Sequence, residues 1–245
     1  AGCTTPTAPE ALAVSIQAAD DTTAPAAKSA ELIALLQSDL PKAEKVKAFK
    51  PLAVSGNKDA VPALAAYLAD EELSSWARIA LEAIPDPACD EALRSAMTRL
   101  KGRLLVGVIN SIGVRRDAQA VDALVARLGD PDVEVASAAA AALGRIGGAT
   151  AAQALQQALA TAAPAIRGEL ADAIVRCAES ALATGQKDEA VRLYDLVSQA
   201  DVPQHRVLEG VRGAILARGP AGLPLLVELL KSTDKKRFAL GLKLT

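Results

Sequence analysis

The chain has 245 residues, 51% of them hydrophobic but only 2% aromatic, with 23% charged and a formal net charge of -2. This aliphatic, charge-balanced composition excludes a disordered chain, and the slight acidity and lack of aromatics argue against general nucleic-acid binding, which needs phosphate neutralisation or base stacking. Fifty-five alanines and 33 leucines make an all-α fold the expectation, since these are strong helix formers and strand formers are scarce.

Residues 1–27 are rich in Thr, Ala and Pro and lack periodicity, so they read as a linker or N-terminal extension. Ala1-Gly2-Cys3 resembles the end of a bacterial lipobox, which would make Cys3 a lipid-bearing residue, although a mature lipoprotein begins at its Cys. A removed leader would place the chain in the periplasm or cell envelope; the alternative is a cytoplasmic protein. No window approaches 18 consecutive apolar residues, so no transmembrane segment is expected. Cys3, Cys89 and Cys177 are isolated and His205 is the sole histidine, so neither a metal nor a cofactor site is expected.

From residue 28 onward a segment with apolar residues at helical spacing recurs at intervals of about 30 residues. Its copies begin at Ala30, Ala60, Cys89, Ala120, Ala151, Ala190 and Gly222; these are the A helices. AVPALAAYLAD from Ala60 and AVDALVARLGD from Ala120 are the most alike. A second, B helix follows each, large at position 0, apolar at 4, small at 7 and large at 8. Val46, Ala53 and Val54 give a weak first copy, interrupted by Lys50. Trp76, Ala80, Ala83 and Ile84 give the second, and Leu104, Val108, Ser111 and Ile112 the third. Val135, Ala139, Ala142 and Leu143 follow, then Ile166, Leu170, Ala173 and Ile174, then Val207, Val211, Ala214 and Ile215. Phe238 and Leu242 begin a last copy. These positions share one helical stripe, and the small residue admits a neighbouring helix. Pro41, Pro131, Pro164 and Pro203 precede B helices, and Gly113, Gly147 and Gly219 read as their stops.

A helix pair repeated every 30 residues buries its stripe only by stacking, which predicts an α-solenoid of six to seven pairs over residues 28–245, truncated at its last pair. The run GDPDVEVASAAAAALGRIG, Gly129 to Gly147, resembles a HEAT repeat of the bacterial type also seen in phycobilisome lyases. Two departures stand out: Ala136 where the family favours Arg, and a long fifth pair with a slight tetratricopeptide flavour around Gly185 and Tyr194. The resemblance implies partner binding on a curved surface and no fixed chemistry. The truncated last pair suggests a longer protein or capping by another chain.

Catalytic constellations are absent from the sequence: His205 has no nucleophile or orienting carboxylate at a recognisable spacing. Glu71-Glu72 suits a helix N-terminus. The partner-binding candidates lie on the outward face of the B helices: Arg78 and Glu82 in the second pair, Val106 and Asn110 in the third. Ser137 and Ala141, Gly168 and Asp172, and Glu209 and Gly213 continue the ridge. Leu105, Val106 and Ile109 make the third B helix apolar all round, which means either burial on both sides or an exposed patch. Arg99, Lys101, Arg103, Arg115 and Arg116 could receive an acidic partner. The expected function is a non-enzymatic protein-interaction or scaffold module, bound to a protein partner or an adjoining domain. A small-molecule enzyme of chromophore-lyase type acting in the solenoid groove is the alternative, and a nucleic-acid-binding HEAT protein a third reading.

Overall fold

The computed structural model describes residues 23–245, with side chains from Lys28 onward. Cys3 and the Ala1-Gly2-Cys3 run lie outside the described residues. Among the described residues fourteen α-helices alternate as seven pairs. The A helices are α1 (Thr23–Gln37), α3 (Val61–Ala65), α5 (Pro87–Arg99), α7 (Val121–Arg127), α9 (Gly148–Thr161), α11 (Lys187–Gln199) and α13 (Leu223–Leu230). The B helices are α2 (Lys42–Ser55), α4 (Ser74–Ala83), α6 (Gly102–Arg115), α8 (Val133–Ile146), α10 (Pro164–Ala183), α12 (Gln204–Arg218) and α14 (Lys235–Leu244). Helix α1 starts at Thr23, so the boundary expected at residue 27 falls within it.

The starts are set by short polar side chains. Asp86, Asp132 and Asp234 each accept the backbone N–H two residues on, at the heads of α5, α8 and α14. Each supplies an acceptor to donors that have no partner inside the helix. Asp70 does the same for Glu72 and Leu73 just ahead of α4, so Glu71-Glu72 sits in the turn before that helix. Gly147 (φ 71°) and Gly219 (φ 61°) end α8 and α12 in the left-handed region, as their sequence positions suggested.

Gly113 is a correction. It lies inside α6, and Arg116 (φ 55°) terminates that helix instead. A Cβ on Gly113 would lie 2.8 Å from Ala142 Cα of α8, and one on Gly144 2.7 Å from Ala173 Cα of α10. These glycines stand at position 9 of one B helix and meet position 7 of the next, so two backbones touch. The small residues therefore work in complementary pairs. Val175 holds that position on α10. There the succession loosens, and α12 packs more fully on α11 than on α10.

Three registers also differ from expectation. In α14 Phe238 and Leu242 are exposed, and Leu240 and Leu244 pack against the smaller C-terminal cluster in their place. In α4 the stripe is Leu73, Ala77, Ala80 and Leu81, all buried, whereas Trp76 and Ala83 face outward. In α2 the buried residues are Ala48, Phe49 and Leu52, and Val54 is 85% exposed. The Phe49 ring meets Tyr67 edge-on at 5.5 Å, a favourable aromatic geometry that fixes the helix rotation. From the third to the sixth pair positions 4, 7 and 8 of the expected stripe are buried, while position 0 is buried only at Val135 and half-buried at Leu104, Ile166 and Val207.

The buried residues form one continuous cluster from Leu36 to Ala217, and a smaller one, Val211, Ile215 and Leu229, ties α12 to the last pair. Successive B helices approach one another more closely than successive A helices do. The B helices, each packed on the next, therefore form a continuous layer. The helical run Gln204–Leu230 reaches a mean hydropathy of 1.4, enough by composition for a membrane span. It is broken at Gly219–Gly222 into α12 and α13, and α12 is packed into the solenoid against α11.

Candidate interaction surface

The ridge is made by the side chains that the B helices turn away from their stripe. On α6 these include Val106, Asn110 and Val114; on α8 they are Ser137, Ala141 and Arg145; on α10 they are Gly168, Asp172 and Arg176. The corrected register of α4 places Ser75 and Ile79 at the equivalent points, with Trp76 beside them. Trp76 is 40% exposed and Ile79 54% exposed. Both are i,i+3 neighbours on one helix face.

Arg78 and Glu82, the residues expected on this ridge, instead face the next helix. Arg78 Nη1 donates to Gly107 O at 3.2 Å and to Ser111 Oγ at 3.3 Å. Ser111 Oγ in turn donates to Glu82 Oε1 at 2.6 Å. The polar trio clips α4 to α6 and satisfies the buried Ser111 hydroxyl. A Cβ on Gly107 would lie 2.7 Å from Arg78 Nε, so the glycine makes room for the guanidinium.

The apolar girdle of α6 resolves in favour of burial. Leu105 is 2% exposed and Ile109 0%, covered on either side by α4 and α8. They are core residues, and only Val106 of that trio remains half-exposed. The exposed-patch reading of Leu105 and Ile109 is therefore overturned.

Arg115 also leaves the surface. Its side chain is 9% exposed and binds Asp90 through Nε–Oδ1 at 2.5 Å and Nη2–Oδ2 at 3.0 Å. Its remaining donors reach the carbonyls of Leu81, Glu82, Ile84 and Asp86. The hydrogen bonds to Asp90 raise the guanidinium's pKa further, so it remains charged throughout the accessible range. Arg116, Arg99, Lys101 and Arg103 remain exposed.

The sixth pair ends the ridge differently. Where α10 and α12 diverge, Asp172, Arg176, Glu179, Arg206 and Glu209 line a recess of about 270 Å³. Asp172 is shared by Arg176 at 2.8 Å and Arg206 at 2.6 Å. The ridge thus passes from an apolar N-terminal half to an ion-paired C-terminal half.

No nucleophile emerges among the described residues. Burial pushes the Cys177 thiol up to about 12 and raises that of Cys89; a reactive cysteine needs the opposite shift. His205 is exposed in the first turn of α12. No group of three or more His, Cys, Asp or Glu among the described residues is placed to hold a metal ion.

The sequence reading missed Trp76 and Ile79 because it took Trp76 as the stripe's large residue. The signal was present: Leu73, three residues earlier, gives the same 0, 4, 7, 8 pattern with a side chain that fits between helices.

Comparison with known proteins gives the following. The chain is similar to human deoxyhypusine hydroxylase in complex with glycerol, at 14% identity over 91% of this chain and 97% of that one, with a TM-score of 0.43. It is similar to the complex of CpcE and CpcF of phycocyanin lyase from Nostoc, at 18% identity over 94% and 91%, with a TM-score of 0.41. An engineered protein aligns at 22% identity over 87% of this chain and 66% of that one, with a TM-score of 0.44. No curated protein sequence matches. The family model that matches is that of HEAT repeats, over residues 102–175, from the start of α6 into α10, within an all-α helical-repeat fold.

Proposed function

We propose that the chain is a non-enzymatic protein-interaction module that holds a partner protein, or an adjoining domain, along the ridge of its B helices. The observation that carries this is the exposure of the chain's single tryptophan, Trp76, beside Ile79 on that ridge. Trp is the residue type most enriched among interface hot spots. A photoreactive amino acid placed at Ile79 is the test, with a second at Ala123, exposed on α7 of the A layer. In lysate of the source cell, position 79 is expected to crosslink a discrete partner and position 123 to remain free. Equal crosslinking from both sites, or crosslinking from position 123 alone, overturns the reading.

A further inference from the structure

We infer that the N-terminal half of the ridge takes an acidic segment of a partner protein, one that carries an apolar anchor flanked by carboxylates. This inference rests on the function proposed above and narrows it to one class of partner.

The chain as a whole carries a net charge of -2, but its charges are unevenly placed. Helices α2, α4 and α6 carry seven Lys and Arg against two carboxylates, Glu44 and Glu82. Both carboxylates are engaged: Glu44 accepts from Lys47 at 2.6 Å, and Glu82 from Ser111. Most of the cations are engaged too. Lys42 binds Asp70 and Glu72, Lys45 donates to the Tyr67 hydroxyl, and Arg78 and Arg115 are held as described. Lys50 and Arg103 are left, exposed and without an ion pair among the described residues.

The repeat places these two cations around the apolar ridge. Phe49 and Leu52 of α2 correspond to Ala77 and Ala80 of α4, so Lys50 stands where Arg78 stands one pair later. Arg78 reaches Gly107 of α6, and the α4 residue equivalent to Gly107 is Trp76. Lys50 is thereby set on the edge of α2 that faces Trp76. Arg103 precedes Leu104 at the head of α6 and is the i-3 neighbour of the ridge residue Val106. A strip of Trp76, Ile79 and Val106 therefore has an uncommitted cation at either side and no uncommitted carboxylate on the three helices that form it.

Charge complementarity across an interface selects partners by sign and speeds their encounter, while the buried aromatic supplies the anchor. A nucleic acid fits less well: two free cations neutralise few phosphates, and Ile79 and Val106 offer nothing to a phosphate backbone.

The probe is a phage-displayed library of random 16-residue peptides. It is selected on the whole chain and counter-selected on the Trp76→Ala/Ile79→Ser variant, with far-UV circular dichroism showing that both fold. Enriched peptides are expected to be net negative with an aromatic or aliphatic residue between acids. Their binding is expected to shift the emission of Trp76, the only tryptophan, to the blue. It should weaken at least tenfold in Lys50→Glu/Arg103→Glu. Ridge-dependent peptides that are neutral or basic, or that are indifferent to the charge reversal, overturn this inference and leave the proposed function standing. Absence of any ridge-dependent peptide overturns both. A 20-base-pair DNA duplex that shifts the same emission at 150 mM salt and displaces the peptides overturns the protein assignment.

Discussion

Arg115, near the end of α6, reaches back across the third pair to hold Asp90 of α5 in a bidentate ion pair, and the same guanidinium covers the carbonyls at the end of α4. One side chain thus joins three helices of two consecutive pairs. It supplies donors to carbonyls that the last turn of α4 and the turn after it leave without helical partners. Removing one member of a buried pair strands the other, which costs about 3 to 5 kcal/mol. Arg115→Ala is expected to lower the urea midpoint accordingly. Arg115→Lys should recover little of it, because an ammonium cannot bond Asp90 in two places and reach four carbonyls as well. Full recovery by Lys would show that charge alone matters at this point.

The complementary small residues of the B-helix stack give a second expectation. Gly144→Ala would set a Cβ 2.7 Å from Ala173 Cα, against backbone that cannot step aside. Overpacking of this kind costs about 1 to 3 kcal/mol. Gly148→Ala is the contrast. Nothing lies within 4 Å of its added Cβ, but φ is +83°, so only backbone strain of about 1 kcal/mol is expected. Thermal melts of the two variants separate steric from conformational cost. If Gly144→Ala melts like the wild-type chain, α8 and α10 do not touch at this point.

Much of this stack is legible in the sequence because its spacing is rigid. Val135, Ala139, Ala142 and Leu143 recur 31 residues later as Ile166, Leu170, Ala173 and Ile174, and all are buried except Ile166, which is half-buried. Spacing failed where two phases of the same helix fit the pattern equally well. In α4 both Trp76 and Leu73 start an acceptable stripe. The choice depends on the volume between neighbouring helices, which a single sequence does not encode. The Arg115 clamp was illegible for another reason: its partners come from Leu81 to Asp90, and nothing in a run of basic residues tells which one turns inward. Gly113 was read as a stop because a helix-ending glycine and a helix-contact glycine look alike until the next helix is in place.

Core and ridge should separate cleanly under mutation. Leu105→Ala and Ile109→Ala each remove a fully enclosed side chain of α6, so each is expected to cost about 2 to 5 kcal/mol. Trp76→Ala and Ile79→Ser remove exposed groups, where substitutions away from special features usually change stability by about 0.5 kcal/mol or less. The same pair should weaken partner binding by about 2 kcal/mol or more if Trp76 is an anchor. Denaturation and titration with the crosslinked partner measure the two quantities. A Trp76→Ala chain that loses several kcal/mol of stability would mean that Trp76 belongs to the stripe after all.

Cys177 provides the final test, because its thiol is silenced chiefly by burial, with the Glu189 carboxylate adding to the same shift. Its folded pKa, about 12, lies above the ordinary 9.0, so the folded state keeps a proton that the unfolded state gives up. The linkage follows: this thiol's contribution to stability is constant below about pH 9, where both states keep the proton, and falls progressively as the pH rises from 9 toward 12. Lysines and tyrosines titrate in the same range, so the informative quantity is a difference. The stability gap between the wild-type chain and Cys177→Ala is expected to shift in favour of the alanine variant as pH climbs through that window. At neutral pH the thiol should react with a disulfide reagent only at the rate of local or global opening. Rapid modification of the folded chain, or a stability gap that stays constant from pH 8 to 11, would place Cys177 at an accessible surface beside α11 and reopen a chemical role for it.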